Sequence, residues 1–230
     1  MKFLSIDFDF FQDVYEETVR RYPDGIDLPT EATEIVWASR YAQYPELLDV
    51  KLKTEEYEQL LGLLKKQSRN CSVLIANSHK HIYTYIKEVN KTSDIDIVNI
   101  DMHHDMFNDN PEVDCGNWLG HIKKEYNASV RWIANPISLK VYGFKKNELD
   151  EAEKIISYSI KDIFNEKFDA IFLCRSDTWT PPHLDSYFTV LCNLLSKKFI
   201  EVKAEKIVLE SRAYKTLVDG IQKQISCFSS

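Results

Sequence analysis

Residues 94–105 read DIDIVNIDMHHD, an apolar run followed at once by acids and histidines. The apolar part predicts a buried strand that ends near Ile100. Beyond it, Asp101, His103 and Asp105 occupy alternate positions, and alternate side chains of an extended chain point to the same side. Carboxylates and imidazoles are common ligands of divalent metal ions. The stretch therefore predicts a strand that carries part of a metal site at its carboxyl end.

Further apolar runs predict strands along the chain, and stretches with helical periodicity separate them. The predicted strands cover residues 2–8, 72–76, 94–100, 130–134 and 167–173, with residues 155–160 and 206–210 as further candidates. The predicted helices cover residues 53–67, 79–90, 117–126 and 182–197, whereas residues 12–44 are predicted to be rich in loops. This alternation is typical of a three-layer α/β/α fold with a mostly parallel, doubly wound sheet, here as one domain over residues 1–230. In such folds ligands bind at the carboxyl ends of the strands.

The composition excludes several classes of protein. The chain is 44% hydrophobic and 28% charged, which is typical of a folded globular domain. Its 29 basic and 36 acidic residues give a net charge of -7, which argues against a general nucleic-acid binder. The first apolar stretch is too short for a signal peptide, and no apolar run is long enough to span a membrane. The five cysteines form no CxxC pair, so we expect reduced thiols in a cytoplasmic protein.

Acids and histidines also follow the other predicted strands. Asp7 and Asp9 close the first strand as a D-x-D pair among apolar residues, where two carboxylates repel each other unless a cation lies between them. His79 follows the second strand and is expected to be a ligand at the start of the next helix, with His81 turned to another face. The complete set of predicted ligands is Asp7, Asp9, His79, Asp101, His103 and Asp105.

This mixed set of oxygen and nitrogen donors indicates which metal the chain would bind. It suits Mn²⁺, Fe²⁺ or Zn²⁺ better than Ca²⁺, and the absence of thiolates argues against a structural zinc site. So many carboxylates predict two metal ions about 3.5–4 Å apart, with a bridging hydroxide as the nucleophile.

Two further segments are candidates for a substrate pocket. Residues 115–121, CGNWLGH, hold two of the six glycines, which allow a tight backbone close to the site. Asn117 is a candidate hydrogen-bond partner of the substrate and Trp118 a candidate pocket wall, although the start of a helix with a core tryptophan fits equally well. The segment after the strand at residues 167–173 adds Arg175, Ser176 and Asp177.

Several of these motifs together resemble a known family. The D-x-H-x-D motif, the upstream His79 and the Gly116-Asn117 pair resemble the metal-binding signature of arginases and other ureohydrolases. In ordinary arginases the D-x-D comes after D-x-H-x-D, whereas here it comes first, which suggests a rearranged strand order. Residues 5–11, SIDFDFF, and the Arg175-Ser176 pair resemble the divergent arginase-like group that contains the peptide arginases.

The resemblance implies a fold, a cofactor and a reaction. The expected fold is an arginase-like α/β/α domain in which the six predicted ligands hold two Mn²⁺ ions. The expected reaction is hydrolysis of arginine guanidinium groups in a ribosomally made precursor peptide, which yields ornithine and urea. The expected partner is therefore a peptide that contains arginine, rather than a nucleic acid or a membrane. The sequence carries no signal for the oligomeric state.

The resemblance also implies roles for single residues. Asp105 is expected to take a proton from the nucleophile and pass it to the departing amine. A carboxylate is expected to orient the guanidinium through paired hydrogen bonds, with Asp177 as the first candidate and Glu210 as the second. Arginases shuttle protons through a histidine after the Gly-Asn pair. Leu119 stands at that place here, so the candidates are His121 and His104.

Other functions fit parts of the same sequence. A hydrolase of small guanidino compounds, of the agmatinase type, is one, and a zinc deacetylase on the same fold is another, suggested by the His103-His104 pair. Residues 5–9 also resemble the nucleophile motif of aspartate-dependent phosphatases, a class that leaves the histidines unexplained. The non-enzymatic alternative is a metal-stabilised protein that binds peptides. A peptide substrate requires an open cleft, for which residues 12–44 and 179–182 are candidates.

Overall fold

A computed structural model describes residues 1–23, 25–106, 110–141 and 146–228 of the chain. Within these residues the strands, in chain order, are β1 (Lys2–Asp7), β2 (Gln12–Asp13), β3 (Lys51–Leu52), β4 (Ser72–Ala76), β5 (Asp94–Asp101), β6 (Asn127–Ala134), β7 (Ile156–Ser157), β8 (Ala170–Cys174) and β9 (Val202–Ala204). Seven of them form one parallel sheet in the order β7-β6-β5-β1-β8-β4-β9, and β2 pairs with β3 separately.

Helices alternate with these strands. The α-helices of the described residues are α1 (Glu16–Val19), α2 (Thr30–Gln43), α3 (Thr54–Lys66), α4 (His81–Val89), α5 (Trp118–Glu125), α6 (Ser138–Val141), α7 (Lys146–Glu153), α8 (Asp185–Lys198) and α9 (Lys215–Phe228). Short 3-10 helices span Phe8–Phe11, Pro45–Asp49, Ile160–Ile163, Pro182–Leu184 and Lys206–Leu209. None of the described helices is long and apolar enough to cross a membrane.

The central strands are buried on both faces, which produces three layers. Every residue of β8 is buried, and its alternate side chains enter two different apolar clusters. Ile171 and Leu173 pack with side chains of α3 and α8, whereas Phe172 packs on the other face with side chains of α4 and α5. A strand with two apolar faces reads as a continuous apolar run, which explains why these strands were recognisable in the sequence. The predicted α/β/α class is confirmed.

The sheet topology brings four carboxyl ends together at its centre. The chain runs from β1 to β4 in one direction, returns to β5 on the other side of β1, and continues outward through β6 and β7. β8 is inserted later between β1 and β4. Because ligands bind where the winding direction of such a sheet reverses, the ends of β5, β1, β8 and β4 are the expected place for a site.

Several predictions of secondary structure are wrong. Residues 206–210 contain a 3-10 helix instead of a strand, and the last strand is β9, whose exposed V-K-A sequence at the sheet edge lacks an apolar signal. Residues 12–44 contain α2, which begins after Pro29 and buries Trp37 and Tyr41 instead of an aliphatic stripe. The helix α9 was not predicted, and only two residues of the candidate strand 155–160 are extended in this sheet.

Candidate metal centre

The structure brings the six predicted ligands together at the carboxyl ends of β1, β4 and β5. Asp7 and Asp101 are the last residues of β1 and β5, and His79 lies between β4 and α4. Ser5, Asp7, Asn99 and Asp101 follow the strand alternation, so they share the face on which α4 and α5 pack. The fold therefore concentrates polar side chains at one point of an otherwise apolar layer.

Three carboxylates surround one ring nitrogen of His79. The Nδ1 atom lies 3.1 Å from Asp7 Oδ2, 3.2 Å from Asp101 Oδ2 and 3.0 Å from Asp105 Oδ2. A ring nitrogen carries at most one proton, so it can donate a hydrogen bond to only one of these oxygens. Neighbouring ligands at right angles about 2.1 Å from a metal ion would be roughly 3.0 Å apart, which is the spacing found here. Asp7, His79 and Asp101 form a buried group that could hold a metal ion.

A second group shares one member with the first. Asp9 Oδ2 lies 3.0 Å from the Nδ1 atom of His103, yet this buried oxygen has no hydrogen bond in the described residues. Asp101 Oδ1 lies 3.5 Å from the same Nδ1 atom. A carboxylate and an imidazole held this close together could both be ligands of one cation. Asp9, Asp101 and His103 could hold a metal ion, and Asp101 directs one oxygen to each group.

The pKa values of these groups reflect crowding of negative charge. Burial raises the pKa of Asp9 well above its usual range, and the charge of Asp7 raises it further. Burial and the charge of Asp101 raise the pKa of Asp105 to about 7. For His79, burial opposes protonation, but the charge of Asp105 and hydrogen bonds to the surrounding carboxylates outweigh it, so its pKa is raised. Bound protons thus relieve a repulsion that a divalent cation would also relieve.

The position of His79 is fixed by two neighbours. Its Nε2 atom shares a hydrogen bond of 2.7 Å with Ser5 Oγ, and its ring stacks on Phe172 with centroids 5.5 Å apart. A proton on Nε2 leaves the Nδ1 atom available as a ligand, and such partners of metal-binding histidines set the tautomer. Sequence reasoning missed Ser5, although a polar residue two positions before Asp7 on the same strand face was a usable signal.

Other side chains hold the carboxylates. Trp118 Nε1 donates to Asp105 Oδ2 at 2.6 Å, and Asn99 Nδ2 donates to Asp101 Oδ2 at 3.1 Å. Ser176 Oγ donates to Asp7 Oδ2 at 2.6 Å. Trp118 is fully buried, so it positions a carboxylate and is not an exposed pocket wall.

Two residues of the site adopt a left-handed backbone. Asp105 has a φ of 54° and Ser176 a φ of 55°, and neither is a glycine. Such a conformation costs about 1–3 kcal/mol per residue and is kept only where the surroundings require it. In each case the side chain contributes a contact to the ligand group, which is consistent with selection for the site rather than for the fold.

Three of the predicted site residues have other roles. Asn117 is buried, where its Oδ1 accepts from the Asp114 amide and its Nδ2 donates to the Glu112 carbonyl, both at 2.8 Å, so it organises its own loop. His104 is buried beside Trp132, and its Nδ1 atom accepts from the Met106 amide.

His121 lies on α5, where its ring contacts Tyr83 of α4 with centroids 6.2 Å apart. The two cavities described below are lined by neither His104 nor His121, as far as the described residues define them. His81 is on the surface, where its Nε2 atom lies 3.4 Å from Glu205 Oε1.

Asp177 already binds a guanidinium, that of Arg175. Arg175 donates to both oxygens of Asp177, at 2.5 and 3.0 Å, and also to the Glu210 carbonyl at 2.6 Å. Thr30 Oγ1 donates to Asp177 Oδ2 as well, at 2.5 Å. Burial opposes ionisation, but the neighbouring Arg212 and Arg175 outweigh it and hold the pKa of Asp177 below its usual range. Both oxygens are engaged within the protein, and the Glu210 side chain is exposed, so the structure supports neither as the guanidinium-orienting group.

The ligand groups open to the surface through two connected cavities. A small cavity of about 40 Å³ is lined by Asp7, His79, His103, Asp105, Cys115, Gly116, Ser176 and Trp179. A depression of about 450 Å³ is lined by Gly25, Ile26, Asp27, His103, Asp114, Cys115, Gly116 and Trp179. Four residues line both, so the depression adjoins the cavity that contains the carboxylates. Trp179 was expected beside a cleft, and it lies there.

Removal of the Ser5 hydroxyl tests the support of His79. We expect Ser5→Ala to weaken Mn²⁺ binding by about 10–100-fold, because the ring loses the partner that sets its tautomer. Equilibrium dialysis with metal analysis measures the affinity, and Ser129→Ala, an exposed serine of β6, is the matched control. Unchanged affinity in a folded Ser5→Ala protein would contradict the assignment.

Replacement of Arg175 separates a structural role from substrate binding. We expect Arg175→Met to lower the free energy of unfolding by about 3–5 kcal/mol, because it leaves Asp177 buried with one fewer cation. Urea denaturation measures the loss, and Arg20→Met, at an exposed ion pair of α1, should change it by less than about 0.5 kcal/mol. Wild-type stability combined with weaker substrate binding would instead support the substrate role.

The raised pKa values predict how pH acts on the metal-free protein. Because the folded state of Asp105 binds a proton up to about pH 7 and the unfolded state releases it near 3.8, rising pH across that window should lower the free energy of unfolding. Mn²⁺ affinity should rise across the same window, because metal and protons compete. Denaturation across this pH range tests the fall in the free energy of unfolding, and metal titration tests the rise in affinity. Asp105→Asn should flatten both pH dependences. Stability that rises with pH in this window would show that the carboxylates are not crowded.

Comparison with known proteins does not indicate a family or a function for this chain. No family model, curated protein or solved structure matches the chain. The functional argument therefore depends on the chemistry of the buried donors and the cavities beside them.

Proposed function

We propose that the chain is a manganese-dependent hydrolase that converts arginine residues of a ribosomally made peptide to ornithine and releases urea. The observation that carries the proposal is the set of four buried carboxylates with His79 and the partly buried His103, which form two groups that share Asp101 and lie beside a surface depression. A cytoplasmic location, where such peptides are made, is part of the same proposal.

The donor atoms suit manganese better than a metal ion that prefers thiolate ligands. Cys115 lines the cavity, and burial raises the pKa of its thiol, which disfavours the thiolate form that binds metals. The remaining donors are carboxylate oxygens and imidazole nitrogens, a set that suits Mn²⁺. When bound, such divalent ions activate water for attack at neutral pH.

Asp105 is suited to move the proton in this reaction. Its carboxyl group borders the small cavity, where it could take a proton from the attacking water and pass it on. Trp118 fixes its Oδ2 atom. Water adds to the guanidinium carbon and gives a proton to Asp105. That proton then passes to the side-chain nitrogen of the nascent ornithine as its bond to the carbon breaks. The second proton of the added water also moves to this amine as the carbonyl of urea forms, so urea and protonated ornithine are released.

The surroundings of the site support this reaction over two alternatives. A zinc deacetylase would use the His103-His104 pair at its site, but His104 packs beside Trp132 and contacts the Met106 backbone. An aspartate-dependent phosphatase needs a lysine beside its nucleophile, and the described residues that line the two cavities include none. A depression of about 450 Å³ could admit a side chain of a peptide as well as a free amino acid.

Mass spectrometry of a peptide tests the activity. With Mn²⁺, we expect arginine of the peptide to become ornithine and urea to appear in equal amount, with free arginine a poorer substrate. Asp101→Asn should reduce turnover by more than about a hundredfold because it removes the carboxylate shared by both groups. Asp94→Asn, an exposed acid on the same strand, is the control. Bound manganese without urea from either substrate would contradict the proposal.

A further inference from the structure

The depression outside the metal centre contains an acid that nothing above has used. Asp27 lines this depression of about 450 Å³ together with Trp179 and His103. Because Asp177 is already engaged by Arg175, the carboxylate that receives the substrate's cation must be elsewhere, and Asp27 is the acid whose surroundings suit that role.

The carboxylate of Asp27 is incompletely neutralised. Its side chain is only 15% exposed, and burial raises its pKa. The Ser78 hydroxyl donates to its Oδ2 atom, and Lys80 Nζ approaches the same oxygen at 3.7 Å. Both contacts use Oδ2, which leaves Oδ1 without a hydrogen bond among the described residues. Lys80 is about half exposed, so its loose contact can be displaced at little cost.

Asp27 also adjoins the metal centre. Ser78, which binds it, directly precedes His79 in the chain. Cys115 lines both cavities, and after burial the largest influences that raise the pKa of its thiol are the charges of Asp27 and Asp105. The Cys115 side chain is thus close both to Asp105 of the metal centre and to Asp27 of the depression.

An aromatic ring completes the surroundings of this acid. Trp179 is half-buried, lines both cavities and meets the His103 ring edge to face at 5.6 Å. A guanidinium group is planar, always charged and weakly hydrated, so it binds well where a carboxylate and an aromatic face occur together. A neutral side chain of the same length would leave the Asp27 carboxylate with only the Ser78 hydrogen bond and the loose contact of Lys80.

We propose that Asp27 and Trp179 form the recognition site for a cationic side chain, which admits arginine to the metal centre and rejects neutral side chains of similar shape. This inference rests on the proposed function for the identity of the cation. The selection itself depends only on the charge of Asp27 and the walls of the depression.

Two peptides that differ in one charge test the selection without any turnover. Lysine and norleucine replace arginine in otherwise identical peptides, and calorimetry measures their affinity for the Mn²⁺-loaded full chain. We expect the wild-type protein to prefer the lysine peptide, and Asp27→Asn to weaken its binding about tenfold while the norleucine peptide is unaffected. Asp114→Asn is the matched control, because Gly116 and Asn110 already occupy both oxygens of that acid in the same depression.

A second variant and a kinetic measurement keep the outcomes distinct. Lys80→Ala removes the competing cation, so it should bind the lysine peptide at least as tightly as the wild type. If the wild-type protein releases urea, Asp27→Asn should raise KM for the arginine peptide more than it lowers kcat. A charge preference without urea would contradict the proposed reaction and leave the recognition site supported. Equal affinity of the wild type for both peptides, or a preference kept in Asp27→Asn, would overturn the inference.

Discussion

Mutual repulsion among buried carboxylates is the constraint on which this structure depends. Asp7, Asp9, Asp101 and Asp105 meet in an interior where each negative charge raises the cost of the next. Two imidazoles, protons and hydrogen bonds from Ser176, Asn99 and Trp118 partly offset that cost. An interior built only for stability would place apolar side chains there. These acids instead form buried groups that could hold a metal ion.

The parallel sheet makes this concentration of charge possible. Its central strands are buried on both faces, so their apolar side chains supply the stability that the acids reduce. The charges are confined to the carboxyl ends, where backbone amides and loops can reach them; the Met102 amide donates to Asp9 Oδ1, and the His103 amide to Asp101 Oδ1. A second buried network, in which Arg175 and Arg212 pair with Asp177 and Asp185, holds the loop after β8 against the segment before α9.

The fold class and the ligand groups were predictable because both depend on local patterns. Strand alternation and parallel pairing bring Asp7 and Asp101, the last residues of β1 and β5, to one face of the sheet. His103 and Asp105 lie beyond the end of β5, where Asp105 has a φ of 54°, so the loop and not strand alternation positions them. The role of Asp177 was not predictable, because Arg212, which helps to neutralise it, is 35 positions away in sequence and no periodicity links them. Asp27 was missed because it precedes α2 in a stretch with no apolar pattern. Exposed elements such as β9 are also hard to predict from sequence, because packing places few apolar residues in them.

The division of Asp101 between two groups has a thermodynamic consequence. Its Oδ2 atom faces His79 and its Oδ1 atom faces His103, so a cation in either group acts on a carboxylate that belongs to both. If both groups bound a cation, occupancy of one would change the affinity of the other, and the coupling would be reciprocal. A cation that orients this carboxylate would prepare the second group, whereas the added positive charge would oppose a second cation. The balance of these two effects would decide whether two cations bind the centre cooperatively or in separate steps.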